Sequence, residues 1–376
     1  MIKWAGPFWD ASGYASATRD YALALHRWGV PITIHARCFE PGPPKVGVGQ
    51  DLGVLESLED KEVDYSIVVS QLTPDIAVQY HEPGKYNINF FAWETTKVHP
   101  YWVECLNKAD EVWVPSTWNV DVLKSSGVIK PVVCIPHIAR VHKFDIDVEP
   151  MFQNLEGLFK FYSVFQWNER KNPLGLLRSY LAAFKASDPV VLVLKTYLSG
   201  GGDNEASVVA TQVNQLKKDM GLPNYPKVVL VSNRLTDEQM IGLHKELDCC
   251  VSLSHAEGFG LPPFEAAQAG KPVISTGAGG VLEFLEEELC YLIPSQESLV
   301  KGMSSFNNWY LGTGVWYDPC EPRVIEAMQH VVKNYDEAVE KALKLRDNIA
   351  EKFSAKAIVA RIMSRVSSIM KARGLE

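Results

Sequence analysis

The sequence predicts an α/β protein built of two halves alike in architecture. Three observations carry that prediction. Short apolar, β-branched runs alternate with helical patterns along nearly the whole chain, which is how parallel sheets covered by helices read in sequence. The chain has 376 residues, and at about 100 to 200 residues per domain that length argues for two domains. The alternation is interrupted once, between Arg140 and Glu156, by the charged stretch RVHKFDIDVEPMFQNLE with Pro150, and then restarts at Phe159. The expected domains are residues 1–148 and 149–352, with a terminal helix at 353–376.

In the first half, strands are expected at Ile2–Ala5, Ile32–Ala36, Tyr65–Val69, Tyr86–Ala92, Glu111–Val114 and Val132–Ile135, runs rich in β-branched and aromatic residues. An Ala-rich helix is expected from Ala15 to Arg27, and Ser116 is the N-cap of a helix around Val120–Ser125 that Gly127 ends. The second half repeats the pattern. Strand Phe159–Phe165 leads to helix Pro173–Lys185, strand Val190–Lys195, a glycine-rich loop at Gly200–Asp203, helix Ala206–Met220 and strand Val228–Val231. Thr236 and Gln239 form a capping box before a helix to Leu247. Strand Cys249–Leu253, helix Pro262–Gln268 and strand Pro272–Ser275 follow, and the end of the chain is helical. No sequence repeat of 20 to 50 residues links the halves, so only their architecture is alike.

Composition excludes several classes. Lysine plus arginine is 37 against 45 acidic residues, a net charge of −8, with 47% hydrophobic and 22% charged residues. That is ordinary globular composition and not that of a disordered chain, a collagen or a coiled coil. The acidic balance argues against stable nucleic-acid binding. No apolar run approaches the 18 or so residues of a membrane-spanning helix, so a soluble, unexported protein is expected. The seven cysteines, Cys38, Cys105, Cys134, Cys249, Cys250, Cys290 and Cys320, form no C-x-x-C pair. A reducing, cytoplasmic setting fits them, and no structural or catalytic metal is expected, since none of the nine histidines pairs with another ligand at metal-binding spacing.

The densest chemical signal is HAEGFGLPPFEAA from His255, which follows an apolar strand and opens a helix. Gly258 and Gly260 permit a tight turn with bare backbone N–H groups, and the helix that follows adds its positive end. That geometry suits a diphosphate. Glu257 and Glu265 are eight positions apart, one before the turn and one expected in the first helical turn, where both can face the same cleft. Carboxylates there are suited to sugar hydroxyls, and a bidentate carboxylate on vicinal hydroxyls is a natural grip for a ribose. A plain glycine turn with acidic residues early on the helix accounts for the same spacing.

Glu257 and Glu265, set in EGFGLPPFEAAQAGKPVI, resemble the E-x7-E element of retaining glycosyltransferases of the GT-B fold, most of all those of glycosyltransferase family 4. The resemblance extends over most of the chain. It implies two Rossmann-like domains facing a cleft, an acceptor-side first domain, a nucleotide-sugar-binding second domain, and a last helix that crosses back to brace the first. It further implies transfer of a hexosyl group from a nucleotide sugar to a carbohydrate, lipid-linked or other hydroxyl acceptor, with retention, without metal or other cofactor. Glu257 would lie by the donor sugar and Glu265 on the ribose, with Gly258, Phe259, Gly260 and Leu261 at the diphosphate and sugar.

In VFQWNERKNP from Val164, Lys171 matches the lysine with which such enzymes grip the diphosphate, while the companion arginine falls on Gln166 and Arg170 is the expected substitute. Ser12-Gly13-Tyr14 stands where the resemblance implies a glycine loop facing the donor, which assigns Gly13 to donor binding. At the end of the fourth strand, Glu94 occupies the place of a histidine or aspartate near the transferred sugar, opposite Glu257, with Trp93 offering a flat face to a sugar ring. His99, five residues on, is not expected to be catalytic. Base contacts are expected from backbone at Ser232 to Leu235. The last helix carries Ile358, Ile362, Val366 and Ile369 or Met370 on one face and Lys356, Arg361, Arg365, Lys371 and Arg373 elsewhere, so peripheral membrane contact is a second expectation beside bracing. Two rival functions stand beside transfer: a sugar-nucleotide epimerase of related fold, and a catalytically silent nucleotide-sugar binder.

Overall fold

A computed structural model describes residues 1–10, 12–37, 51–198, 205–303 and 309–374. The glycine-rich loop expected at Gly200–Asp203, and Cys38, lie outside the described residues. The chain divides into two compact units, Met1–Arg140 with Glu351–Glu376, and Val141–Ala350. The first division thus precedes the expected one at 148. Its cause is the 3-10 turn Val141–Asp145, whose buried Phe144 packs edge-on against His244 of the second unit.

The first unit holds six strands, β1 (Ile2–Gly6), β2 (Ile32–Ala36), β3 (Ile67–Ser70), β4 (Tyr86–Phe90), β5 (Glu111–Val114) and β6 (Val132–Cys134). They pair in the order β2-β1-β3-β4-β5-β6, every pair parallel. Their near-continuous apolar runs follow from that arrangement, because helices cover both faces of a parallel sheet. Helix Gly13–Arg27 starts earlier than expected, with the Ser12 side chain accepting from the Ala15 amide. Gly13 is therefore the first helical residue, not part of a glycine loop. The amphipathic last helix, Ala355–Ala372, buries Ile358, Val359, Ile362, Val366 and Ile369 in this unit's core. Arg365 on the same helix binds the fully buried Glu111 through Nε at 2.9 and 3.1 Å. The apolar stripe of this helix is so occupied, while Lys356, Arg361, Lys371 and Arg373 stay exposed.

The second unit holds β7 (Phe159–Gln166), β8 (Val190–Tyr197), β9 (Lys227–Val231), β10 (Cys249–Ser252), β11 (Val273–Thr276) and β12 (Tyr291–Ile293). Their order is β12-β11-β10-β7-β8-β9, again all parallel. The chain leaves β7 in one direction along the sheet and returns to its other side at β10. Ligands of doubly wound sheets bind outside the carboxyl ends at such a reversal. An antiparallel hairpin, β13 (Ser295–Leu299) and β14 (Val315–Pro319), follows β12. Sequence patterning missed it because SQESL carries no β-branched residue. Among the described residues, no helix is long and apolar enough to cross a membrane.

Candidate functional site

Two loops meet at the strand reversal of the second unit. After β7 the chain makes the 3-10 turn Glu169–Lys171, with the Asn168 side chain accepting from the Lys171 amide at 3.2 Å. Asn172 then takes a left-handed conformation, φ 52°, and caps helix Pro173–Ala183 by accepting from the Gly175 amide. After β10 the segment from Leu253 runs to Gly260, the N-cap of helix Leu261–Gln268. Gly260 has φ +94°, and a Cβ there would stand 2.7 Å from Val281 Cγ1, so the position requires glycine.

The turn after β7 aims two cations at the loop after β10. The Lys171 ammonium bonds Oε1 of Glu257. Arg170 points inward, donating from NH1 to the Ala256 carbonyl at 2.8 Å and lying 3.3 Å from Glu257 Oε2. The Arg170 carbonyl in turn accepts from the His255 amide at 2.7 Å. Burial pushes the Glu257 carboxyl up, but Lys171 and then Arg170 outweigh it and hold the group below its ordinary range. Glu257 is thus a buried carboxylate kept ionised by two cations.

Glu265 belongs to a neighbouring cluster with different partners. Because Leu261 is the first helical residue, Glu265 falls just beyond the first turn where it was expected. The Lys143 ammonium bonds its Oε1, and His244 Nε2 lies 3.8 Å from its Oε2. Burial raises this carboxyl as well, and Lys143 and His244 more than offset it, leaving the group well below the carboxylate range. Sequence reasoning missed both cluster partners. Lys143 comes from the charged stretch that interrupts the strand–helix alternation, and His244 from a helix whose capping alone was legible.

The remaining expected donor residues sort by backbone and side chain. The Phe259 side chain is buried against Phe264 and Phe284, ring centroids 5.0 Å from each, so only its main chain is available to a ligand. Gly258 is covered by a loop that the sequence reading did not single out. Gly280 donates from its amide to the Glu257 carbonyl at 2.8 Å, and a Cβ on Gly280 would stand 2.0 Å from the Gly258 carbonyl oxygen. The signal was present as the run TGAGG after a strand. Leu261 opens the helix and is half-buried. Gln166 accepts from Asn168 Nδ2 at 3.2 Å and so helps shape the turn. On the hairpin side, His255 Nδ1 lies 2.9 Å from Asp318 Oδ1, and its ring stacks on Trp316.

In the first unit, Gly13 lies at the exposed start of its helix and Glu94 is half-buried past the carboxyl end of β4. Trp93 departs from expectation. It is 2% exposed, stacked on Phe91, edge-on to Trp102, and its indole N–H donates to the Lys97 carbonyl at 2.8 Å. It is a core residue and offers no face to a sugar. Asn119 pins its backbone, accepting from Trp93 N and donating to Trp93 O at 2.7 Å. His99 accepts from the Tyr101 amide and caps helix Pro100–Leu106. Among the described residues, no group of three His, Cys, Asp or Glu side chains is arranged to hold a metal ion.

Comparison with solved structures settles the architecture. Sucrose-phosphate synthase from Thermosynechococcus elongatus superposes with a TM-score of 0.71 at 15% identity, covering 99% of each chain. The Anabaena protein HepE, solved with UDP and glucose, gives 0.66 at 14% identity over 98% of this chain and 99% of its own. The fold is GT-B. By sequence, the GT-B chain resembles family 4: residues 204–362 match the model described as "Family 4 Glycosyltransferase in conflict systems". The mouse α-1,3/1,6-mannosyltransferase ALG2 is 24% identical over 284 residues, 72% of this chain and 61% of that enzyme. The human ALG2 is 23% identical over 283 residues, with the same coverage. The chain thus spans about three fifths of the length of these curated relatives.

Proposed function

We propose that the protein is a metal-independent, retaining glycosyltransferase that moves a sugar from a nucleoside-diphosphate donor to an acceptor hydroxyl. The observation that carries the reading is the convergence of Lys171 and Glu257 at the strand reversal, beside Glu265 on the helix that leaves the same loop. HepE, of the same fold, was solved with UDP and glucose, and the ALG2 enzymes are named mannosyltransferases, which supports a nucleotide-sugar donor.

Transfer breaks the bond between the anomeric carbon and the diphosphate oxygen, whose electron pair stays on the diphosphate. The ring passes through an oxocarbenium-like state. The acceptor oxygen then bonds to the anomeric carbon and its proton goes to the leaving oxygen on the same face, which yields retention. Lys171 and the amides from Gly258 to Leu261 stabilise the charge growing on the leaving group, the kind of preorganised electrostatics that dominates such catalysis. Glu257 orients the sugar and offsets positive charge near its ring. Glu265 accepts from the ribose hydroxyls. Arg170, with its guanidinium turned to Ala256 O, holds the Glu257 loop in place. Glu94 serves the transferred sugar or the incoming acceptor.

Incubation with a panel of nucleotide sugars tests the reading. A transferase releases free nucleoside diphosphate, an epimerase returns an isomeric nucleotide sugar, and a silent binder gives neither. Either of the last two outcomes contradicts it.

A further inference from the structure

Glu265 is held from two sides by groups that no likeness assigns. Lys143, from the 3-10 turn Val141–Asp145, bonds Oε1, and its ammonium also lies over the Phe144 ring at 4.8 Å. On the other side His244 is 1% exposed, with Nε2 3.8 Å from Glu265 Oε2 and Nδ1 2.9 Å from the Tyr162 hydroxyl. Burial pushes the Tyr162 hydroxyl well up and the imidazole down, so the tyrosine keeps its proton and the histidine is neutral. The phenol therefore donates to Nδ1, and the imidazole hydrogen sits on Nε2, facing the carboxylate. The opposite tautomer would set a ring lone pair against a carboxylate lone pair.

At 3.8 Å the Nε2–H is beyond hydrogen-bond distance, and this buried atom has no hydrogen-bond partner. A buried donor left so is costly, and a shift of under about 1 Å in the carboxylate closes the bond. The cluster is not sealed, since the side chains of Glu265 and Lys143 stay 26% and 18% exposed. A carboxylate has about four acceptor sites. With one taken by Lys143 and one facing His244, two remain on the open side for a pair of vicinal hydroxyls.

We propose that Lys143 and His244 are positioning residues that orient Glu265 to grip the ribose of a nucleoside diphosphate, and so make the site selective for ribose over 2′-deoxyribose. The inference rests on the donor-site reading above and deepens it. A purely structural pairing of turn and helix predicts lost stability and no change in sugar selectivity.

Calorimetry with UDP, GDP and ADP, each against its 2′-deoxy counterpart, tests it. The wild-type protein prefers one ribonucleotide to its deoxy form by about tenfold or more. Lys143→Ala and His244→Phe lower that ratio by about tenfold, while His244→Gln, whose amide nitrogen can stand in for Nε2–H, keeps most of it. Melting temperatures show that the variants are folded, and Lys143→Ala, at a part-exposed position, guards against a His244 variant that fails to fold. An unchanged ratio in folded variants overturns the inference and leaves the donor site intact. Binding without ribose preference in the wild type overturns the role of Glu265 and the inference with it. No binding of any of these nucleotides overturns the proposed function itself.

Discussion

Lys171 and Glu257, 86 positions apart in the chain, are joined by an ion pair at the point where the second sheet reverses its strand order. The cation expected on the diphosphate is thus bonded to the carboxylate expected on the sugar. On the proposed reading, a donor diphosphate competes with Glu257 for the Lys171 ammonium. Lys171→Ala is expected to lower turnover by about a hundredfold or more, with a smaller loss of affinity. The measurement is steady-state kinetics beside a melting curve. Lost stability with unaltered turnover per folded molecule would assign the pair to structure alone.

Glu265→Ala is expected to weaken nucleoside diphosphate binding by about 2 to 4 kcal/mol, since two charge-assisted hydrogen bonds to the ribose are lost. Calorimetry on the folded variant checks it. Unchanged affinity removes Glu265 from the ribose.

Glu94→Gln is expected to cut turnover strongly while leaving affinity for the nucleoside diphosphate nearly unchanged. Its loop is fixed by Asn119 on both polar atoms of the Trp93 backbone, so a loss of activity at normal melting temperature reports on the carboxylate itself. Normal turnover removes Glu94 from the reaction.

Stability is expected to fall on acidification before the carboxylates titrate. Burial pushes the His137 imidazole from 6.5 down to about 3, and His244 is lowered for the same reason. A depressed folded value means that the unfolded chain binds the proton first. The contribution is complete above about 6.5 and is lost as pH falls toward the folded value, at up to about 1.4 kcal/mol per pH unit for each histidine. Melting temperature measured from pH 7 to pH 4.5 should drop, and more gently in His137→Phe. A flat profile contradicts the assignment of neutral buried imidazoles.

Much of the fold was legible because parallel strands buried on both faces leave short apolar runs, and Ile32–Ala36 and Glu111–Val114 match their expected bounds. What escaped was set by tertiary contact. The hairpin Ser295–Pro319 has a polar strand that pairs with Val315–Pro319, and no local pattern announces it. Trp93 looked like a sugar platform because a sequence does not show that Phe91 and Trp102 enclose it. In the candidate site, the E-x7-E spacing singled out both carboxylates in the sequence, but their counter-ions lie far away in sequence. Lys143 is 122 positions from Glu265, and only the folded chain brings them together. The loop at Gly280 is a milder case, since its glycines were visible without the backbone they touch. Gly280→Ala, with its Cβ 2.0 Å from the Gly258 carbonyl oxygen, should displace the Glu257 loop, cost about 1 to 3 kcal/mol of stability and abolish turnover.

The central claim is that Glu257 at the strand reversal serves sugar transfer from a nucleotide-sugar donor. The most direct measurement is release of nucleoside diphosphate from the matched donor by the wild-type protein and by Glu257→Gln, each saturated with donor. The variant keeps the shape of the side chain but loses its charge and leaves one acceptor oxygen for the two cations. The account predicts steady release by the wild type and release at least about a hundredfold slower by the variant, with donor affinity within a few-fold. Equal rates from the two proteins would contradict it.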